Sequence, residues 1–245
     1  MGETALQHDP VTQRSWRRTA TAVAQIVGAV LSPWRRHQRL TWGARPAEVA
    51  ATLPGDELIP APPWGYTRAI SIDAPAAAVW PWIAQLGQER GGFASFERLE
   101  NLFGCRIRNA DRIVEAWQHP AVGDQVHLHP KAPALHIAAL EPGRSLVLRG
   151  AAADVTGAGG TTGSGGRAGA AGGDAPTPDN LWAFHLLPDG LTGCRLVERG
   201  ATVHGTSLQD RLFFGTTLIE PIGFVMSREM LRSIKELAET QWRRR

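Results

Sequence analysis

The sequence predicts an α+β chain in which an antiparallel sheet lies around a long C-terminal helix, with two short helices inserted after the first strand. Three observations carry that expectation. A strand-like run, Tyr66 to Asp73, places Ile70 and Ile72 on one face and Ala69 and Ser71 on the other, and feeds directly into helical spacing. Short alternating runs separated by turn residues then follow as a meander. The chain closes on a wide apolar stripe at helical spacing, and a helix that apolar on one side needs a sheet to lie against.

The elements follow in order. The first dozen residues are polar and patternless, so disorder is expected there. From Arg14 onward, Trp16, Ala20, Val23, Ile26, Val27, Val30 and Trp34 fall on one helical face, and Arg14, Arg18, Thr21 and Gln25 on another. Residues 1–40 therefore read as a basic amphipathic extension to a domain spanning 41–245. Two placements stay open for residues 14–36: packing on the domain as an extra layer, or peripheral contact with an anionic membrane, where indoles favour the headgroup level and arginines meet lipid phosphate. Arg17-Arg18 ahead of an apolar stretch also resembles a twin-arginine signal, though no A-x-A cleavage site follows.

Pro46 through Leu53 holds a short helix with Val49, Ala50 and Leu53 on one face, and the prolines at 54 and 60–63 force an extended lead into the first strand. Asp56 and Glu57 read as turn chemistry after Pro54-Gly55. Asp73, ahead of Ala74-Pro75, is placed to cap a helix whose apolar face is Val79, Trp82, Ile83 and Leu86, ending near Gly87. Gly91-Gly92 break the chain, and Phe93, Phe96, Leu99, Leu102 and Phe103 give a second helix up to Gly104. Val122 to His129, Leu135 to Leu140 and Arg144 to Arg149 read as strands, the last two joined by the turn Glu141-Pro142-Gly143. Between 150 and 179 the chain is Gly/Ala-rich and lacks large apolar side chains, which predicts a disordered insertion in a hairpin. In the next strand Trp182, Phe184 and Leu186 alternate with Leu181, Ala183, His185 and Leu187; Cys194 to Val203 completes the meander. Leu208 to Leu218 is a strongly apolar helix, which Glu220-Pro221 kinks or restarts. Phe224, Val225, Met226, Met230, Leu231, Ile234, Leu237 and Ala238 then form the closing stripe.

Composition bounds the function. With 245 residues, 43 % hydrophobic and 20 % charged, the chain suits one globular core with extensions. A net charge of +3 is too mild to argue for nucleic acid. Cys105 and Cys194 stand in no metal or redox spacing, which fits two buried thiols in a reducing cytoplasm, with a disulfide as the weaker alternative. No run of about 18 or more uncharged apolar residues is present, which argues against a spanning helix. His127 and His129 share a strand face, but a closed metal site wants three or four ligands, so no metal is assigned. Nucleophile-elbow, zincin and Walker motifs are absent, and no catalytic residue or cofactor is nominated.

The stretch Ala74 to Glu100, APAAAVWPWIAQLGQERGGFASFERLE, resembles the opening of bacterial proteins of the SRPBCC superfamily (START-like, polyketide cyclase/dehydrase-like), whose usual pattern is APxxVWPWLxQxGxxRGGWYSYDxLE. WGARPAEVAATLPGDELIP upstream and ADRIVEAWQHPAVGDQVHL, CRLVERG and FVMSREMLRSIKELAE downstream are similar to the rest of it. The resemblance implies a helix-grip fold, a curved antiparallel sheet around the C-terminal helix enclosing a ligand cavity. It leaves the chemistry open, since one fold hosts many functions.

Candidates for lining that cavity are Trp82, Phe93, Phe96, Trp117, Trp182, Phe184, Phe213, Phe224 and Met226, each weighed against plain core packing. Gln85 and Arg90 are the polar candidates. Arg90 matches the arginine of the family's GxxRGG segment, where it either pairs with Glu97 or Glu100 or presents its guanidinium to a ligand. Where the family has WYSYD this chain has FASFE, which removes two hydroxyls and an indole N–H. The reading that follows is a carrier or sensor of a hydrophobic small molecule, such as a lipid, isoprenoid or polyketide. The rival reading is a polyketide cyclase/dehydratase-like enzyme using the same cavity, with Arg90, Gln85 or a histidine assisting proton transfer. The expected location is the cytoplasm, or the inner face of the membrane.

Overall fold

A computed structural model describes residues 10–97, 101, 107–129, 133–151, 179–203 and 219–245. Helix α1 (Pro10–Val30) leads through a 3-10 turn (Pro33–Arg35) into α2 (Arg36–Leu40) and α3 (Pro46–Ala50). Strand β1 (Trp64–Ile72) precedes α4 (Ala76–Ala84), and β2 (Gln125–Val126), β3 (Leu135–Glu141), β4 (Ser145–Ala151), β5 (Asp179–Asp189) and β6 (Gly193–Val203) follow. Helix α5 (Ile219–Arg243) closes the chain. The six strands form one antiparallel sheet in the order β1-β6-β5-β4-β3-β2, so the last strand pairs with the first.

Period-two alternation sorts each strand between two covered faces. The inner face carries Ile72, Leu146, Leu148, Phe184, Leu186 and Leu196, packed against Val79, Trp82 and Ile83 of α4 and Leu231, Ile234 and Ala238 of α5. The sheet-facing row on α5 runs Phe224, Ser227, Leu231, Ile234, Ala238, the spacing of one helical stripe. Pro221 stands in the first turn of α5, where its missing N–H costs nothing. Buried Glu220 in the same turn receives Arg39 Nε at 2.9 Å, which ties α2 to the positive end of α5. The outer face is covered by the proline-rich lead: Leu53 packs on Ala69 and Val197, and Ile59 on Val147, Leu181, Ala183 and Ala201.

Several local expectations are corrected. Asp73 does not cap α4. Its N–H donates to Glu239 Oε1 at 2.8 Å, and the N-cap is Pro75, with no side-chain capping bond. Phe93 and Phe96 precede the second helix: Asn109 Oδ1 accepts from the amides of Phe93 and Ala94 and holds a turn there, and helix is assigned at Glu97 and Asn101. Leu99, Leu102, Phe103, Gly104 and the run Leu208 to Leu218 lie outside the described residues. The strand predicted from Val122 to His129 shrinks to Gln125–Val126, because Gly123 turns at φ +94° and Asp124 Oδ2 accepts from the Ala121 amide instead. In α3 it is Glu48, not Val49, that turns inward, drawn by Arg195. The β4 and β5 strands run through Ala151 and from Asp179, so residues 150, 151 and 179 of the predicted insertion belong to the sheet; 152–178 lie outside the described residues.

Helix α1 packs against α5, and of the face its periodicity picks Ile26 takes part while Val23, Val27 and Val30 do not. Ala22 is fully buried, Ile26 packs beside Phe224 and Val225, and Ala29 is buried. Small alanines let the two helices approach closely, while the bulkier row of Val23, Val27 and Val30 is turned outward.

Candidate functional site

The inner face changes character along β1 and β6. Toward Ile72 it is solid apolar core; toward Trp64 it carries Tyr66, Arg68, Trp182, Glu198 and Ser227 among aromatic rings. Alternation from Ile72 through Ile70 brings Arg68 and Tyr66 onto the inner face, and alternation from Leu196 brings Glu198 beside them, with Arg68 and Glu198 directly opposite in register. Gly200 makes the arrangement possible. A Cβ there would stand 2.3 Å from the Tyr66 ring, so only glycine lets the phenol lie across β6 and reach Glu198.

Glu198, 1 % exposed, is held by three donors. Tyr66 Oη donates to Oε1 at 3.0 Å, Trp182 Nε1 donates to the same oxygen at 2.7 Å, and Ser227 Oγ on α5 donates to Oε2. Three of its roughly four lone-pair sites are thus occupied. Burial first, then the Glu198 charge, pushes the Tyr66 phenol well above its ordinary value, so it stays a protonated donor.

Arg68 is the unusual member. It is 1 % exposed, and no carboxylate lies within ion-pairing distance of it among the described residues. Its Nε donates to the Arg39 carbonyl at 3.0 Å and one terminal nitrogen to the Gly223 carbonyl at 3.3 Å, while the other, Nη2, is buried with no partner among the described residues. The guanidinium stacks 3.9 Å over the Tyr66 ring and 5.3 Å from the Phe224 ring. Tyr66 therefore stands between a buried cation and a buried anion, touching one with its face and the other with its hydroxyl.

The residues singled out from sequence divide into groups. Phe93, Trp182 and Phe224 surround this cluster: Trp182 contacts Phe93 at 6.0 Å and Phe184 at 4.8 Å between centroids, and remains half-buried although it faces inward. Phe96 and Met226 sit with Ala22 and Val225 beneath α1. Trp82 and Phe184 belong to the solid core. Phe213 lies outside the described residues. Gln85 is a bracket for a loop: Nε2 donates to the Arg112 carbonyl at 3.1 Å, and Oε1 accepts from the Val114 amide at 3.1 Å. Arg90 donates to the Trp117 carbonyl at 3.1 Å, and burial lowers its pKa; it pairs with neither Glu97 nor any other carboxylate among the described residues. Sequence reading singled out none of Tyr66, Arg68, Glu198 and Ser227 for a site.

The outer face holds polar groups of another kind. Arg195 Nε and Nη2 each reach Glu48 at 2.7 Å, with Nη1 on Ser71 Oγ and Nη2 also on the Gly43 carbonyl. Burial alone would raise the Glu48 carboxyl, but the bonds from Arg195 and the Arg45 amide hold it below its ordinary value. Arg199 pairs with Asp56, and His185 shares a 2.9 Å hydrogen bond with Ser145. Burial, helped by Arg199, lowers His185 to about 4. A cleft of about 380 Å3 opens on this face between α2 and the lead, beside Ile59, Thr67, Leu181 and Ala201. Its two charged walls, Asp56 and Arg199, are spent on each other.

No protein-family model and no curated protein matches the chain. Among solved structures it is similar to a protein of Mesorhizobium loti (16 % identity, 71 % of this chain and 97 % of that one, TM-score 0.36). It is also similar to a truncated norcoclaurine synthase of Thalictrum flavum (13 %, 71 % and 92 %, TM-score 0.35). A polyketide cyclase-like protein of Corynebacterium glutamicum is a third (16 %, 72 % and 92 %, TM-score 0.32). The topology itself, first strand paired to last and a long closing helix against the inner face, is that of a helix-grip fold.

Proposed function

We propose that the protein binds a hydrophobic small molecule at the aromatic end of the inner face, as a carrier or sensor, and anchors an acceptor oxygen of that molecule on Arg68. The observation that carries this reading is the unpaired Nη2 of a buried guanidinium. Leaving such a donor unsatisfied costs roughly 1–3 kcal/mol, which a ligand carbonyl, phenolate or carboxylate would return as about ten- to hundredfold in affinity. Phe93, Trp182 and Phe224 supply the apolar walls, and the half-burial of inward-facing Trp182 supports room beside it. A lipid, isoprenoid or polyketide with an oxygen at one end fits this chemistry.

The second reading, a cyclase- or dehydratase-like enzyme, is favoured by one contact, the Tyr66 hydroxyl on Glu198. It is the weaker of the two, because Glu198 has three lone pairs occupied and the Tyr66 hydroxyl already donates its hydrogen bond to Glu198. Native mass spectrometry of the gently purified chain separates them from an empty fold. A hydrophobic adduct at one per chain, lost in Arg68→Met, supports the carrier; no adduct in either protein contradicts it. Turnover abolished by Tyr66→Phe in a still-folded protein would instead favour the enzyme.

A further inference from the structure

We propose that the outward row of α1 and the turn after it, Val23, Val27, Val30, Leu31 and Trp34, is a docking surface for an anionic lipid bilayer. The rotation of α1 is fixed by the burial of Ala22, Ile26 and Ala29 and by a hydrogen bond from Arg228 to Gln25 Oε1 at 2.5 Å. That rotation leaves five large apolar side chains at i, i+4, i+7, i+8 and i+11 in solvent. Leu31 is 68 % exposed, Trp34 75 % and Val27 50 %, and together they make a continuous apolar strip, where scattered single exposures would need no explanation.

The charge around the strip selects the occupant. Residues 10–47 contain seven arginines and no carboxylate. Arg39 and Arg45 are committed to Glu220 and Asp189, and Arg36 also reaches Glu220 through Nε at 3.7 Å although its side chain is 40 % exposed, but Arg35 is exposed beside Trp34. An indole at headgroup level flanked by guanidiniums over an aliphatic row is what an interfacial helix presents to acidic lipid. A second copy of the chain fits less well, since pairing two such faces would bring arginines against arginines. No described helix is long and apolar enough to cross a membrane, so α1 would lie in the plane of the surface.

This proposal does not depend on the inner-face ligand, and its test is separate. The full chain is floated with vesicles of phosphatidylglycerol and phosphatidylcholine, and with phosphatidylcholine alone. The expected result is recovery with the anionic vesicles that falls as salt is raised. Leu31→Ser with Trp34→Ser should weaken binding by about tenfold or more, and Arg35→Ser by about fivefold. Val122→Ser, at an exposed valine on the far edge of the sheet, should leave it unchanged, and thermal melts should show every variant folded. Equal flotation of wild type and the double variant would overturn the proposal. So would no flotation of either, or a dimer in solution dissolved by Trp34→Ser, which would give the face to a second copy.

Discussion

Arg195 and Arg68 are both buried on adjacent, paired strands, yet they do opposite things. Arg195 faces outward, where Glu48, Ser71 and the Gly43 carbonyl use every nitrogen it has. Arg68 faces inward, takes two carbonyls, and keeps its Nη2 without a partner among the described residues, stacked over Tyr66 and near Phe224. A guanidinium whose bonds are complete is a fastener that holds the lead against the sheet. One left incomplete at the aromatic end of the inner face keeps a donor for the guest proposed above.

The largest effect is expected at the fastener. Arg195→Ala strands a buried Glu48 carboxylate and should cost about 3–5 kcal/mol in urea unfolding. Next comes acid. His185 is held at about 4 in the folded chain against 6.5 when exposed, so the unfolded state binds the proton first. Its contribution is complete above 6.5 and lost as pH falls toward 4, by roughly 3 kcal/mol. His185→Gln should flatten the stability profile across that window, measured by urea midpoints. Glu48 acts in the same direction lower down, since its depressed carboxyl is protonated only below the ordinary carboxylate range.

Gly200→Ala drives a Cβ into the Tyr66 ring and should cost about 1–3 kcal/mol. It should also sever the Tyr66 to Glu198 bond, visible as a shifted Tyr66 signal in a spectrum where this is the only tyrosine. The smallest stability change is expected for Arg68→Met, within about 1 kcal/mol of wild type, because replacing a poorly paired buried ion with an apolar side chain is often neutral. If Arg68→Met proved as costly as Arg195→Ala, the distinction between fastener and anchor would fail.

Much of the frame was legible because local pattern dictates it. Trp182, Phe184 and Leu186 share one face as their alternation predicts, Gly143 turns where the punctuation put it, and Leu231, Ile234 and Ala238 face the sheet. The anchor was not legible. Arg68 and Glu198 each look like ordinary solvent-facing charges in short strands, and only the pairing of the first strand with the last, 132 residues away for Tyr66 and Glu198, brings them to one buried spot. The same limit explains α1. Periodicity finds an apolar face, but small Ala22 takes the contact with Phe224 and Val225 of α5 together with Ile26, a property of the interface rather than of either sequence. Asp73 followed the capping rule and was overruled by Glu239 on α5, another long-range partner.

The most direct measurement is a fluorescence titration with anilinonaphthalene sulfonate, an apolar aromatic carrying one anionic group, run on wild type, Arg68→Met and Arg195→Lys. Saturable binding at one per chain is predicted for wild type and Arg195→Lys, weakened about tenfold or more in Arg68→Met at unchanged stability. Identical binding by wild type and Arg68→Met, or no saturable binding at all, would contradict an anchored guest on the inner face.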